Sequence, residues 1–435
     1  MKRILIIAMF FWGISSAMAQ EVALLNYNSL ERKFEKSTER VQSERRKDHA
    51  RTWLKRGELL QNIYKIDLEY LQEGTSENEI KIYYKEPENV TEKEINGKTY
   101  KVLEYERIDY YLDGNRLSSW KKKKTVTENP LMKAYEAYMN TLKFDDRGRF
   151  DDDVKEQLEE LKTQFKQQGI NAYYLGNKEK ALHDFEMVNK INDHKFFEGV
   201  VDTIMVQYSG IISRELGNYQ KAADYYMQLA DMDFGGPNIY LNIKNDYLAM
   251  KDSAKAMEVM EKGFEEYPDT LNIVANLVDL YIKTGKLDQG IETIEKAISN
   301  NPDKGALYYW KGRLLLNDEE DEERIQGAID AYSKAIELNP TLYYVYYDLG
   351  FIYFLQGQEI FNQAGLEKDV EVRKEINKVA TEKYKEAIPL LNKSLELNDA
   401  NIQIKRETLD VLKRIYYKLG NDEKYNEVTK KLNNL

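Results

Sequence analysis

The chain contains no cysteine. A disulfide framework, a thiol nucleophile and a cysteine-based zinc site are therefore excluded. Histidine is nearly absent, with 3 in 435 residues. His49, His183 and His194 fit no metal-ligand spacing and read as surface or helix-end residues. Positive charge is in deficit, with 64 Lys and Arg against 75 Asp and Glu and a formal net charge of −11. Nucleic-acid binding through phosphate contacts needs a basic face, so that class is not expected. There is no G-x-S-x-G, no P-loop and no H-E-x-x-H, so the sequence predicts no enzyme and implies no cofactor. The acidic run Asp318–Glu323 lacks the glycine and the alternating ligands of a calcium loop and reads as a solvated turn. Beyond the N-terminus no apolar run is long enough to span a bilayer.

The N-terminus itself has a recognisable pattern. Lys2 and Arg3 form a charged start, Ile4 to Ile14 an apolar run, and Ala17-Met18-Ala19 a small-x-small site. This predicts a cleaved signal peptide over 1–19 with Gln20 as the new first residue. The rival reading, a membrane anchor, needs a longer apolar run. Loss of Lys2 and Arg3 takes the net charge from −11 to −13. No cysteine follows the apolar run, so lipid attachment there is excluded. The expectation is an exported protein, in the periplasm and possibly peripheral to the outer membrane.

The full chain is rich in tyrosine, 33 residues, and 42% hydrophobic, enough for a packed core. Its most regular stretch is Leu271–Lys304, LNIVANLVDLYIKTGKLDQGIETIEKAISNNPDK. It reads as two short amphipathic helices: Tyr281 precedes a turn at Gly285, then Gly290, Ile294 and Ala297 fall at helical spacing, and Pro302 closes the unit. This resembles a tetratricopeptide repeat (TPR), whose period is about 34 residues. The same frame runs outward. Residues 203–236 carry Gly210, Gly217, Ala222 and Tyr226; residues 237–270 carry Tyr247, Ala256, Met260, Gly263 and Pro268. Residues 305–342 carry Gly312, Ala328, Tyr332, Ala335 and Pro340; residues 343–401 carry Gly350, Tyr353, Gly357, Ala387 and Leu391. Upstream, 162–195 holds Gly169, Gly176, Ala181 and Phe185 in frame. Asp151–Asp153 precede that run as carboxylates suited to cap a helix start.

The expected fold is all-α, a right-handed α-solenoid of TPR helix-turn-helix repeats with a small antiparallel β insertion in the first repeat. Residues 20–49 read as an N-terminal capping helix. Residues 50–148 read as a first repeat whose helices, marked by Trp53 and Gly57 and by Ala134, Tyr138 and Thr141, are split by a β-hairpin insertion at about 66–128. KIYYK, KTYKVLEYERIDYYL and RLSSWKKKK read as about three strands, with turn pairs Asn96-Gly97 and Asp113-Gly114. An independent β-domain followed by a separate helix is the alternative. Residues 149–401 are the repeat array, interrupted at about 358–382 by a proline-free segment that should lengthen helices. Residues 402–435 form a polar C-terminal capping pair. Lys121–Lys124 reads as a solvated strand end, or as a contact for lipid headgroups or an acidic partner.

Aromatic residues at repeat core positions are structural. By the repeat frame Tyr309, Arg313, Tyr344, Tyr347, Phe351 and Phe354 lie off them, on the concave face, as candidate anchors for a peptide or partner helix. The competing reading has the 358–382 segment folding back over them. Some TPR proteins clamp a peptide's C-terminal carboxylate with Lys and Asn. Asn245 and Asn276 match, but Leu241, Ala306 and Trp310 stand at the cationic sites, so that activity is not expected. The signal peptide followed by Gln, the split first repeat and the closing YYKLGNDEKYNEVTKKL resemble exported TPR proteins of Bacteroidota. The resemblance implies a non-catalytic scaffold of the cell envelope that binds a protein or peptide partner. A periplasmic holdase for exported proteins is the alternative.

Overall fold

The computed structural model describes residues 16–268, 270–317 and 321–435, with side chains from residue 26 onward. The predicted signal peptide lies almost wholly outside the described residues, as do residues 318–320 of the acidic run. Eighteen helices make up most of the described chain. It divides into two compact units, Met1–Phe234 and Gly235–Leu435.

The first unit opens with α1 (Ser16–Gln42), followed by α2 (Ala50–Lys65) and α3 (Glu77–Tyr84). Four strands come next: β1 (Asn89–Ile95), β2 (Lys98–Glu104), β3 (Ile108–Asp113) and β4 (Arg116–Lys122). The unit closes with α4 (Pro130–Lys143), α5 (Asp151–Tyr174), α6 (Lys178–Asn192), α7 (Thr203–Glu215) and α8 (Tyr219–Ala230). Helices α5 and α6, and α7 and α8, pack as sequential pairs; α2 packs on α4 across the intervening strands. The α2–α4 contact is made by Gly57 against the ring of Tyr138, so close that a Cβ on Gly57 would come within 2.3 Å of the ring. Carboxylates Asp151–Asp153 occupy the first turn of α5, where the helix dipole favours them, but none caps it. Asp145 accepts from the N–H of Phe150, the residue before the helix, at 2.7 Å. α5 is also one uninterrupted helix, beginning well before the repeat frame's residue 162.

The strands form an antiparallel meander in the order β1-β2-β3-β4. Asn96 (φ +53°) and Gly97 (φ +75°) form the first two-residue turn, both in the left-handed region that such a turn requires. Gly114 (φ +59°) opens the turn between β3 and β4. The sheet differs from the sequence reading in its second turn, which is Gly114-Asn115 because Asp113 pairs with Arg116, and in its strands. It has four strands, and KIYYK is not one of them: that segment ends α3. A capping box decides this, with Ser76 accepting from the Glu79 N–H while the Glu79 carboxylate accepts from the Ser76 N–H at 2.8 Å. The sheet is covered on both faces. Leu103, Tyr110, Leu112 and Leu117 pack with Ile80 of α3; Tyr100, Val102 and Tyr111 pack with Leu175, just past α5.

The second unit is a run of five pairs. Its helices are α9 (Pro237–Ala249), α10 (Ser253–Glu266), α11 (Leu271–Thr284), α12 (Leu287–Asn300) and α13 (Gly305–Leu316). They continue as α14 (Glu322–Leu338), α15 (Tyr343–Leu366), α16 (Val370–Leu397), α17 (Ile402–Lys418) and α18 (Asp422–Asn433). Most second helices start at a side-chain cap: Asp252 accepts from Lys255 N–H, Asp321 from Glu323 and Arg324 N–H, and Asn421 from Lys424 N–H. Gly312 on α13 meets Tyr332 on α14 as Gly57 meets Tyr138, with a Cβ falling 2.4 Å from the ring. Residues 358–382 form no loop. α15 and α16 simply continue as a long antiparallel pair, turned through three residues, with Asp369 capping α16.

Candidate functional site

The candidate site lies in the second unit, on the first helices of successive pairs. Tyr309 and Arg313 are one turn apart on α13; Tyr344, Tyr347 and Phe351 recur at helical spacing on α15. Tyr309 is the hub. Its ring meets Tyr344 edge-on at 4.6 Å and stacks on Tyr332 of α14 at 5.8 Å. Its hydroxyl lies close to the Asp348 carboxyl on α15, near enough to perturb it. Burial holds the Asp348 carboxyl up at about 6, against the pull of Arg313 and the Tyr309 hydroxyl, with Glu407 reinforcing burial. Arg313 reaches the opposite way, 3.8 Å from Asp279 on α11 and 5.5 Å from the Trp310 ring. Tyr347 stacks on Phe351 at 5.9 Å. Its hydroxyl lies near Glu407 of α17, and burial, reinforced by that carboxylate, pushes it up to about 12.

Tyr309, Arg313, Tyr344, Tyr347 and Phe351 are half-buried. Tyr309 and Tyr344 pack on one apolar cluster and Tyr347 and Phe351 on the next, so each ring is held by neighbours. Phe354 is different. It is 2% exposed and packs on Tyr384, Leu391 and Leu412. Three residues beyond Phe351, its ring turns toward α16, 6.2 Å from Tyr384. It belongs to the core and is withdrawn from the candidate surface. The groups packed around the other aromatics come from α13, α14, α16 after residue 383, α17 and α18; none in these clusters belongs to 358–382. Asp348 and Glu407 escaped the sequence reading. The signal for Asp348 was a lone acid inside YYVYYDLGF, four residues after Tyr344 on the same helix side. Nothing local marks Glu407, which only the stacking of α17 beside α15 brings to Tyr347.

Asn276, one of the two asparagines at clamp positions, is already engaged: it accepts from Lys244 at 2.5 Å and donates to Asn272 O at 2.8 Å. Among the described residues no group of three His, Asp or Glu converges to hold a metal ion. No described helix is long and apolar enough to cross a membrane.

The sequence model described as "Tetratricopeptide repeat" matches residues 247–314, and that described as "TPR repeat" matches 321–357. The chain carries tetratricopeptide repeats. Both matches fall on the unit that holds the aromatic surface, and the second runs through Tyr344, Tyr347 and Phe351. The TPR repeat-containing protein MJ1428 of Methanocaldococcus jannaschii is 35% identical over 118 residues, covering 27% of this chain and 19% of its own. The match thus spans about a fifth of that relative's length. Photosystem I assembly protein Ycf3 of a Synechococcus strain is 25% identical over 136 residues, covering 28% of this chain and 79% of its own. Among solved structures, a TPR repeats protein from Bacteroides fragilis aligns at 17% identity and TM-score 0.33, over 57% of this chain and 97% of its own. MamA from Desulfovibrio magneticus aligns at 18% and 0.29, over 44% and 95%. TPR proteins bind protein partners and are typically non-catalytic scaffolds.

Proposed function

We propose that this protein is a non-catalytic scaffold of the cell envelope that holds a peptide or a helix of a partner protein on the first-helix face of its second unit. In a TPR stack the first helices line the concave side, where partners are bound. The observation that carries the reading is the row Tyr309, Tyr344, Tyr347 and Phe351 with Arg313 beside it. Each is immobilised by its neighbours, so binding would cost little side-chain entropy, and Tyr and Arg are the residue types that dominate interface energetics. An assembly role fits the similarity to Ycf3, whose name describes an assembly protein. Export rests on the pattern Lys2-Arg3, Ile4–Ile14 and Ala17-Met18-Ala19, which supports a periplasmic location.

The test is capture from envelope fractions by the tagged full chain, compared with Tyr344→Ser, Tyr347→Ser and Phe351→Ser variants that keep the wild-type melting temperature. One or two stoichiometric partners, lost in the variants, support the scaffold. A broad set of unfolded exported proteins supports the holdase. Unchanged capture by all three variants removes this face from consideration. Recovery of the chain in cytoplasmic fractions with its N-terminus still at Met1 would overturn the export reading.

A further inference from the structure

The two edges of the β insertion are finished differently. The outer edge of β4 is closed at two places. The Gly74 N–H donates to the Leu117 carbonyl at 2.7 Å, and the Leu117 N–H donates to the Thr75 carbonyl at 2.8 Å. Farther along, the Asn171 side chain of α5 accepts from the Trp120 N–H at 2.7 Å and donates to the Trp120 carbonyl at 2.8 Å. Strand β1 has no such cover. It is the other end strand of the sheet, and among the described residues no element but β2 runs along it.

The alternation of the ladder determines which groups β1 leaves open. Ile95 and Lys98 flank the two-residue turn at Asn96-Gly97 and so exchange both backbone hydrogen bonds. Every second residue bonds β2 in the same way, so the N–H and C=O groups of Val90, Glu92 and Glu94 point away from β2. No described residue bonds them there. Residues Asn89–Ile95 pair with β2 in unbroken register, without a proline or a bulge. A bare edge of this kind is a template for another strand, and proteins ordinarily blunt it with a bulge, a proline or a lysine. The lysine of β1 does not serve: Lys93 lies on the opposite face, where it pairs with Glu104 at 2.9 Å.

The side chains at the outward-bonding positions give this edge a sign. By the two-residue period of a strand, Val90, Glu92 and Glu94 share one face of the sheet. Val90 is 52% exposed, and both glutamates are exposed. Glu92 stands across from Lys101, but Lys101 is taken by Glu77 of α3 at 2.6 Å; Glu94 stands across from Thr99. Neither carboxylate has an ion pair or hydrogen bond among the described residues. Two copies of this chain pairing β1 with β1 about Glu92 would set Glu92 against Glu92 and Val90 against Glu94, and like charges directly opposite are destabilising. A basic strand meets no such obstacle.

We propose that β1 is a docking edge for an extended segment of a partner protein, added antiparallel as a further strand, with Lys or Arg opposite Glu92 and Glu94 and an apolar residue opposite Val90. Main-chain hydrogen bonds supply the affinity, and the alternating side chains select the partner. The edge belongs to the first unit and is separate from the aromatic face of the second. It gives the protein a second point of attachment and stands whether or not that face binds.

Fluorescence anisotropy of dye-labelled peptides with the full chain at low salt tests this. The basic peptide is Val-Lys-Thr-Lys-Thr-Val-Thr, whose antiparallel register sets its lysines opposite Glu94 and Glu92 and its second valine opposite Val90. One control replaces both lysines by glutamate. Another methylates the backbone nitrogens of both lysines, whose N–H groups face β1. The basic peptide should bind about tenfold or more tightly than either control. Its binding should slow amide exchange within residues 89–95 and leave exchange in β4 unchanged. Glu92→Lys combined with Glu94→Lys, at two exposed positions, should turn the preference toward the acidic peptide. No binding of the basic peptide at millimolar concentration, equal binding of the methylated one, protection only outside β1, or a preference unchanged by the double substitution overturns the proposal. So does a dimer of the free chain in sedimentation that the basic peptide dissociates, which would assign the edge to a second copy.

Discussion

Asp348 and Phe354 show how much a single residue's role here depends on which side of a helix it occupies. Asp348 has its folded pKa raised to about 6 by burial. The native state therefore holds the proton more tightly than the unfolded chain, and the stability this contributes is present in full below the unfolded carboxylate range and lost as pH rises through about 6. Asp348→Asn removes the charge at nearly unchanged volume. Its urea midpoint should exceed wild type at pH 7, and the difference should vanish as pH falls toward 4. A constant difference across that range would assign the effect to packing instead. Phe351 and Phe354 are three apart and both aromatic, yet one faces the accessible surface and the other the core. Phe354→Ala should cost about 3–5 kcal/mol in denaturant unfolding, as buried Phe truncations do. Phe351→Ala should cost clearly less and act on partner capture.

At the level of elements, close contact decides which helices pair. Gly312 lets α13 reach the Tyr332 ring of α14, and a methyl group there would sit 2.4 Å from a ring carbon. Gly312→Ala should destabilise by about 1–3 kcal/mol by overpacking, despite the higher helix propensity of alanine, measured by urea unfolding of the second unit. The insertion in the first unit depends on Asn171 in a comparable way. Asn171→Ala leaves the Trp120 N–H and carbonyl without their side-chain partner, and amide exchange at Trp120 should accelerate while exchange in β2 stays slow. The turn pair Asn96-Gly97 was legible because left-handed backbone restricts residue choice; the second turn fell one residue later than read, at Gly114-Asn115, because Asp113 still pairs with Arg116. The helical ending of KIYYK was not, since β-branched and aromatic content argued for a strand while the deciding signal lay upstream in Ser76 and Glu79. The length of α15 and α16 was legible for the opposite reason: a proline-free, Glu- and Lys-rich segment has nothing to stop a helix.

Across the whole chain, the contacts divide at Phe234–Gly235. Asp233, Gly235 and Gly236 all have positive φ, so no regular element bridges the division. Repeat stacks are stabilised by nearest neighbours, so a fragment Gly235–Leu435 should retain a helical circular dichroism spectrum and a cooperative melt. A fragment that is unfolded at 25 °C would show that the second unit depends on the first. The repeat period, the helix pairs and the first hairpin turn were determined by sequence alone, because each follows from local spacing of small, aromatic and left-handed residues. Tertiary structure alone decided two things: that Phe354 is core, and that Asp348 and Glu407 belong to the aromatic face. Each depends on residues brought together from separate elements, and no local pattern encodes which side chain a neighbouring helix or strand will present.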